Sequence, residues 1–331
     1  MRNTSMSVKT LNREYLKFIK SDISETSYDG YCWIANVVNR HLGNARAAQL
    51  TTHDLEVFLN KTLTVNKNSR GGLGYTVKSR KNIASYLRQA FTYLYKQQRI
   101  KQNPCATKLK VRGETNSNPT LPYTQNEVLL LKRIAAENSQ SPLSSYIGKV
   151  TLFAIQTGLR PSELVALTLS NIQQGSDTSD INLSIDKAIA KNTIKSTKTK
   201  LSTRTIALTS STKELLKEIL RTRNIELDKA VKSSSTECFV IIDPLTSQGF
   251  INPKALYNRM KSVYAKSSFR FRGSQSCRHT FARICADNAI PYEHIASMLG
   301  HSDTKMVKQH YIDTKRIIQG ESIRSQLAQI F

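Results

Sequence analysis

The chain has 331 residues, more than one hydrophobic core usually organises, so two domains are expected. Hydrophobic residues at 39% suffice for real cores, but 49 Lys and Arg stand against 24 Asp and Glu, and a net charge of +25 calls for a polyanionic partner, nucleic acid first. Five scattered cysteines (Cys32, Cys105, Cys238, Cys277 and Cys285) argue against a zinc site and a disulfide framework, and neither a signal-peptide pattern nor an apolar run of membrane-spanning length is present, so a reducing cytoplasmic setting with no membrane partner is expected.

Helices dominate the first hundred residues. Trp33, Ile34, Val37, Val38 and Leu42 fall at helical spacing and predict a helix over residues 26–42. A second begins near Thr51 and carries Leu55, Phe58 and Leu59, and Asn66 to Gly74 reads as a glycine-rich loop. From Thr76 to Gln97, Val77, Ala84, Leu87, Phe91 and Leu94 make an apolar stripe, while Lys78, Lys81, Ser85, Arg88, Thr92 and Lys96 fall on another face. Cations and hydroxyls on one face are what phosphate contact requires, so Lys78, Lys81 and Arg88 are candidate DNA contacts, with a merely solvated face as the alternative. Pro104 forbids simple continuation of the helix, and the polar stretch after it, with Gly113, Pro119 and Pro122, reads as a linker. The expected domains are therefore 8–110, a helical DNA clamp, and 123–331, joined by 111–122. Whether residues 1–20 add a DNA-binding arm is left open.

Thr124 with Glu127 three residues later predicts a capped helix start. Residues 147–156 read as a buried helix ending at Thr157-Gly-Leu-Arg160. Residues 181–208 alternate as strands around a basic hairpin, and helical patterns return at 211–223, at 252–266 and from Cys277 onward. The fold class expected is mainly α with a small β-sheet.

Four segments concentrate chemistry-bearing residues: TGLRPSEL (Thr157 to Leu164), KSTKTKLSTRTIAL (Lys195 to Leu208), QSCRHTFAR (Gln275 to Arg283) and MLGHSDTKMVKQHY (Met298 to Tyr311). Each alone has a plain structural explanation: a helix restart, a solvated hairpin, an amphipathic helix, a loop histidine. In this order and spacing, over roughly residues 120–315, they resemble the catalytic domain of the tyrosine recombinases, the phage-integrase type. The N-terminal part, ending in RIKQNPC, is similar to that family's SAM-like core-binding domain.

The resemblance implies a site-specific DNA strand-transfer enzyme that works without metal, ATP or another cofactor. Arg160 and Arg278 would hold the non-bridging oxygens of a DNA phosphate, since planar guanidiniums donate in pairs and stay charged. Tyr311 would be the nucleophile and His301 a donor to the phosphate. Lys198 would be the general acid, ahead of Lys200 and Lys195, because a lysine holds a transferable proton. Glu163, one turn after Arg160, would hold that arginine or simply favour the helix start. Lys200 and Arg204 are further candidate DNA contacts.

Two departures from the family pattern stand out. Gln275 occupies the place usually taken by histidine, three residues before the second arginine, and can hydrogen-bond but not exchange a proton. Tyr311 lies ten residues after His301 rather than the commoner nine. The resemblance further implies double-stranded recombination sites as substrate and a homotetramer on two such sites, with the amphipathic run Ile317, Ile318, Ile323, Leu327 and Ile330 docking on a neighbour. DNA-bending or directionality proteins are possible accessories, and the nucleoid is the expected place of action. A topoisomerase-like enzyme and a catalytically silent DNA-binding protein of the same fold are the alternatives.

Overall fold

The computed structural model describes residues 6–68, 71–113, 120–137, 142–175, 180–196, 202–222, 224–232, 238–250, 252–301, 303–305 and 307–308. It divides into two compact units, Met1–Asn118 and Pro119–Phe331.

The first unit is helical. It comprises α1 (Val8–Ile19), α2 (Glu25–Leu42), α3 (Thr52–Val57), α4 (Leu63–Val65) and α5 (Val77–Lys96), with a π-helical turn at Phe58–Thr62 joining α3 to α4. Residues 8–19 join this core rather than forming a separate arm: Val8, Leu11, Tyr15 and Ile19 line one face of α1 and are buried. Ser7, Ser24, Thr51 and Thr76 each accept a backbone N–H at the start of a helix, which supplies partners for donors that have none inside it. Helix α5 buries Ile83, Tyr86, Leu87, Phe91 and Leu94 and leaves Lys78, Lys81 and Arg88 exposed.

The residues after α5 remain tied to this unit as far as Arg112. Asn60, on the π turn, donates to Lys110 O at 2.7 Å and accepts from Arg112 N at 2.7 Å. Glu56 accepts from Lys110 N at 2.8 Å, and buried Arg80 donates to Arg112 O at 3.0 Å. Val111 and Arg112, placed in the linker on composition, are thus held by side chains of the first unit.

The second unit is built around α7 (Pro142–Thr157). Its residues are buried on nearly every side, because α6 (Gln125–Ala136), α9 (Ser210–Arg221), α11 (Pro253–Tyr264) and α12 (Ser274–Asp287) all pack on it. Thr124 and Glu127 form the capping box at the start of α6. The short helices α8 (Pro161–Leu164) and α10 (Leu227–Val231) and the helix α13 (Tyr292–Leu299) complete the helical set among the described residues.

Among the described residues, three small sheets accompany these helices. Strands β1 (Ile172–Gln174), β2 (Ile181–Ile185) and β5 (Arg204–Ala207) form an antiparallel sheet in the order β1-β2-β5, with Leu183 opposite Ile206 and Ile185 opposite Arg204. Strands β3 (Lys187–Ala190) and β4 (Thr193–Ser196) make the expected basic hairpin, turned by Lys191 (φ 49°) and Asn192 (φ 63°), the left-handed pair that a two-residue hairpin loop needs. Strands β6 (Ile242–Asp243) and β7 (Gln248–Gly249) pair over two residues. No described helix is long and apolar enough to cross a membrane.

Candidate active site

Helix α7 ends where Gly158 takes φ +63°, a conformation that side chains rarely adopt. A Cβ there would also stand 2.6 Å from Phe281 Cδ1 and 2.9 Å from Leu299 Cδ2, so the glycine lets α12 and α13 close onto this turn. Buried Leu159 anchors the next step, and the chain re-enters a helix at Pro161, with Arg160 extended at the N-cap. Glu163 Oε2 accepts from Arg160 N at 2.9 Å, and Glu163 Oε1 accepts from Arg160 Nη1 at 2.7 Å.

Arg278 comes from the second turn of α12 and is 4% exposed. It donates to Gly158 O at 2.9 Å, to Leu299 O, and to His301 Nε2 at 2.8 Å. Helix α13 ends at Gly300, whose left-handed backbone (φ 64°, ψ 45°) reverses the chain and delivers His301.

The last carbonyls of α13 are the meeting point of the site. Met298 O accepts from Arg204 Nε at 2.7 Å, Leu299 O from Arg278, and Gly300 O from Arg160 Nη2 at 3.0 Å. Three guanidiniums therefore satisfy three consecutive carbonyls at the negative end of one helix. Glu163, 2% exposed, is the only carboxylate that these described contacts bring in. Burial alone would raise its pKa, but the hydrogen bonds and charge of Arg204 and Arg160 outweigh it and hold the carboxyl below its ordinary value.

The surplus of cations acts on the other groups. Burial, then the charge of Arg160, lowers the Arg278 pKa to about 9, so it remains a cation at neutral pH. Burial, then Arg278, Arg160 and Arg204, lowers His301 to about 4. His301 is thus neutral at pH 7, as its acceptance of a hydrogen bond from Arg278 through Nε2 requires. Its buried Nδ1 has no hydrogen-bond partner among the described residues.

The donors left over define what the site can do. A guanidinium carries five N–H groups; Arg160 commits two and Arg278 three to the described partners. Arg160 is 30% exposed at its side chain, so its remaining donors face accessible space. Fixed donors on two cations suit a tetrahedral oxyanion such as a phosphate diester. No three His, Cys, Asp or Glu side chains cluster as a metal site among the described residues.

Arg160, Arg278 and His301 are brought together, and Gln275 sits exposed on the first turn of α12, three residues before Arg278. Arg204 requires a correction. Its side chain is 8% exposed and donates to Glu163, Met298 and Ser202, so its guanidinium is committed inside the site rather than presented on the surface as expected. Lys195 lies on the exposed strand β4. Tyr311, Lys198 and Lys200 lie outside the described residues, as does the run from Ile317 to Ile330.

On the first unit, Lys81 and Arg88 line a groove of about 460 Å³ together with Lys108 and Lys110. The two latter lysines follow Pro104, where composition gives no sign of a shared surface with α5. The hydrogen bonds of Glu56 and Asn60 to the backbone of Lys110 create it.

Residues 123–316 match the sequence model of the phage integrase family. Over 230 residues the chain is 28% identical to Prophage ps2 probable integrase of Lactococcus lactis subsp. lactis (strain IL1403), a match covering 66% of this chain and 58% of that protein's length. Among solved structures, the Tn1549 transposon integrase in complex with a circular intermediate DNA superposes with a TM-score of 0.73 at 18% identity, covering 96% of this chain and 99% of that one. A lambda integrase tetramer bound to a Holliday junction gives 0.66 at 19% identity, covering 93% and 78%. At such identities the structural likeness speaks to the fold.

Proposed function

This chain belongs to the phage integrase family, and from that membership and the site geometry we propose that it is a site-specific recombinase that cuts and rejoins DNA through a 3′-phosphotyrosyl intermediate. The observation that carries this reading is the convergence of Arg160, Arg278 and His301 on the C-terminal end of α13, with uncommitted guanidinium donors beside them.

A DNA phosphodiester is an anion that repels nucleophiles, and in-line attack adds charge to its oxygens. Arg160 and Arg278 donate to the two non-bridging oxygens and stabilise that charge; losing one such donor typically costs about 3 kcal/mol of barrier. The Tyr311 oxygen attacks phosphorus, passing its proton to water or to the neutral imidazole of His301, as the bond to the 5′-oxygen breaks. That oxygen takes a proton from a lysine of the basic hairpin, Lys198 in this assignment, and leaves as a 5′-hydroxyl. Reversal by a different 5′-hydroxyl joins a new strand, and the bond energy kept in the ester removes any need for ATP. A phosphate beside Arg278 competes for the hydrogen bond now donated to His301, which frees the imidazole to turn to the substrate. Gln275 adds a neutral donor.

Residues 8–110 serve as a clamp on the duplex, with Lys78, Lys81 and Arg88 on phosphates, and residues 123–331 carry the catalysis. The working assembly in this reading is a tetramer on two DNA sites at the nucleoid, a reading supported by the lambda integrase tetramer bound to a Holliday junction. Incubation with a nicked duplex containing the core site, followed by denaturing electrophoresis, tests the proposal: a covalent protein–DNA adduct is expected.

A further inference from the structure

Arg204 is better connected than a surface cation has reason to be. Strand β5 alternates, so Arg204 shares the inward face with Ile206, and pairing with Ile185 on β2 fixes its height beside α8. Its guanidinium spends two N–H groups on Glu163 (Nη1 to Oε1 at 3.2 Å, Nη2 to Oε2 at 2.9 Å), one on Met298 O and one on Ser202 O. Four of its five donors are thereby used inside the protein.

Glu163 is shared between two arginines of unlike standing. Arg160 reaches it with one side-chain nitrogen and stays partly exposed, whereas Arg204 grips both oxygens from a nearly buried position. If Arg204 is removed, a buried carboxylate loses half its partners and draws Arg160 toward full pairing, away from Gly300 O and from any phosphate. The same guanidinium holds Met298 O, two residues before the turn that delivers His301.

We infer that Arg204 is a positioning residue of the strand-transfer site: by holding Glu163 and the end of α13 at once, it fixes where Arg160 and His301 stand. The inference rests on the recombinase reading for its catalytic consequence but not for its structural one. Lysine cannot replace Arg204, because one ammonium cannot span both Glu163 oxygens and the Met298 carbonyl together.

The test uses the full chain with Arg204→Gln, Arg204→Lys, Glu163→Gln and the Arg204→Gln/Glu163→Gln double variant. Hydrogen exchange of the free proteins is read first. The amides of Gly300 and His301 donate to Ser297 and Ala296 in the α13 cap, and in both single Arg204 variants they should exchange at least about tenfold faster than in the parent. On a nicked duplex, single-turnover adduct formation should fall about a hundredfold in Arg204→Gln, the scale of a misplaced catalytic group, with Arg204→Lys recovering only part. The double variant should be no slower than the slower single one, because a neutral amide at position 163 no longer needs a cation.

DNA affinity and its salt slope should match those of the parent in every Arg204 variant. Unchanged exchange at Gly300 and His301 in the folded lysine variant would overturn the inference, as would losses that multiply in the double variant. A salt slope lowered by about one, with the activity loss explained by weaker binding, would make Arg204 a phosphate contact instead. If the parent forms no adduct at all, the recombinase reading fails, while the exchange measurement still decides whether Arg204 holds α13.

Discussion

The backbone carbonyl of Gly158 accepts a hydrogen bond from Arg278 at 2.9 Å, so the turn that ends α7 also seats the arginine carried by α12. Position 158 must be glycine twice over, for its positive φ and for the 2.6 Å approach of Phe281. Gly158→Ala should destabilise the second unit by about 1–3 kcal/mol and displace Arg278. Denaturant unfolding checks the first effect and the rate of adduct formation the second. An alanine variant as stable and active as the parent would show that this turn is looser than its packing implies.

Acid should act on the site through His301. Its folded pKa of about 4 lies below the ordinary 6.5, so the unfolded chain binds the proton more readily. The stabilisation is therefore complete above about pH 6.5, is lost as pH falls toward 4, and changes no further below that. For a half-buried group the loss should be on the order of 1 kcal/mol. Unfolding curves at pH 7 and pH 4.5 check this: His301→Gln should lose less stability across that interval than the parent. Equal losses in the two proteins would place the acid sensitivity elsewhere.

DNA affinity should fall steeply with salt, given the net charge of +25. Replacing both Lys78 and Lys81 with glutamine should flatten the slope of log K against log salt by roughly one for each phosphate left without its cation. The groove that Lys81 and Arg88 share with Lys108 and Lys110 predicts the same direction for Lys108→Gln and Lys110→Gln. A slope unaltered in the Lys78/Lys81 variant would mean that this face of α5 does not meet DNA.

Gln275 offers a neutral donor where the family usually has histidine. Gln275→Ala should slow single-turnover cleavage about tenfold to a hundredfold, and Gln275→His should stay active, since imidazole can donate a similar bond. Rates equal for glutamine and alanine would show that this exposed side chain turns away from the phosphate.

Much of this arrangement could be read from local patterns. The stripe from Val77 to Leu94 predicted α5, and Thr124 with Glu127 marked the start of α6, because helical period and capping chemistry are written in neighbouring residues. The motifs around Arg160, Arg278 and His301 likewise named three side chains that converge. The partnership of Glu163 with Arg204 spans 41 residues of sequence, and helix-start logic sees only Arg160. A signal was nevertheless present: Arg204, Ile206 and Leu208 alternate with Thr205 and Ala207, which puts the arginine on the buried side of its strand. Helix α1 also carried its pattern in Val8, Leu11, Tyr15 and Ile19. The π turn at Phe58–Thr62 and the two-residue pair β6–β7 are set by tertiary packing and are too short for periodicity to reveal.

The strand-transfer chemistry proposed for the second unit depends on covalent attack by Tyr311 on a DNA phosphate. The decisive experiment compares the parent with Tyr311→Phe on one nicked core-site duplex under denaturing electrophoresis, with binding measured in parallel. The parent should form a protein–DNA adduct linked through a 3′-phosphate, and the phenylalanine variant should bind equally well and form none. An adduct of undiminished yield in Tyr311→Phe would contradict the assignment of the nucleophile and the strand-transfer chemistry built on it.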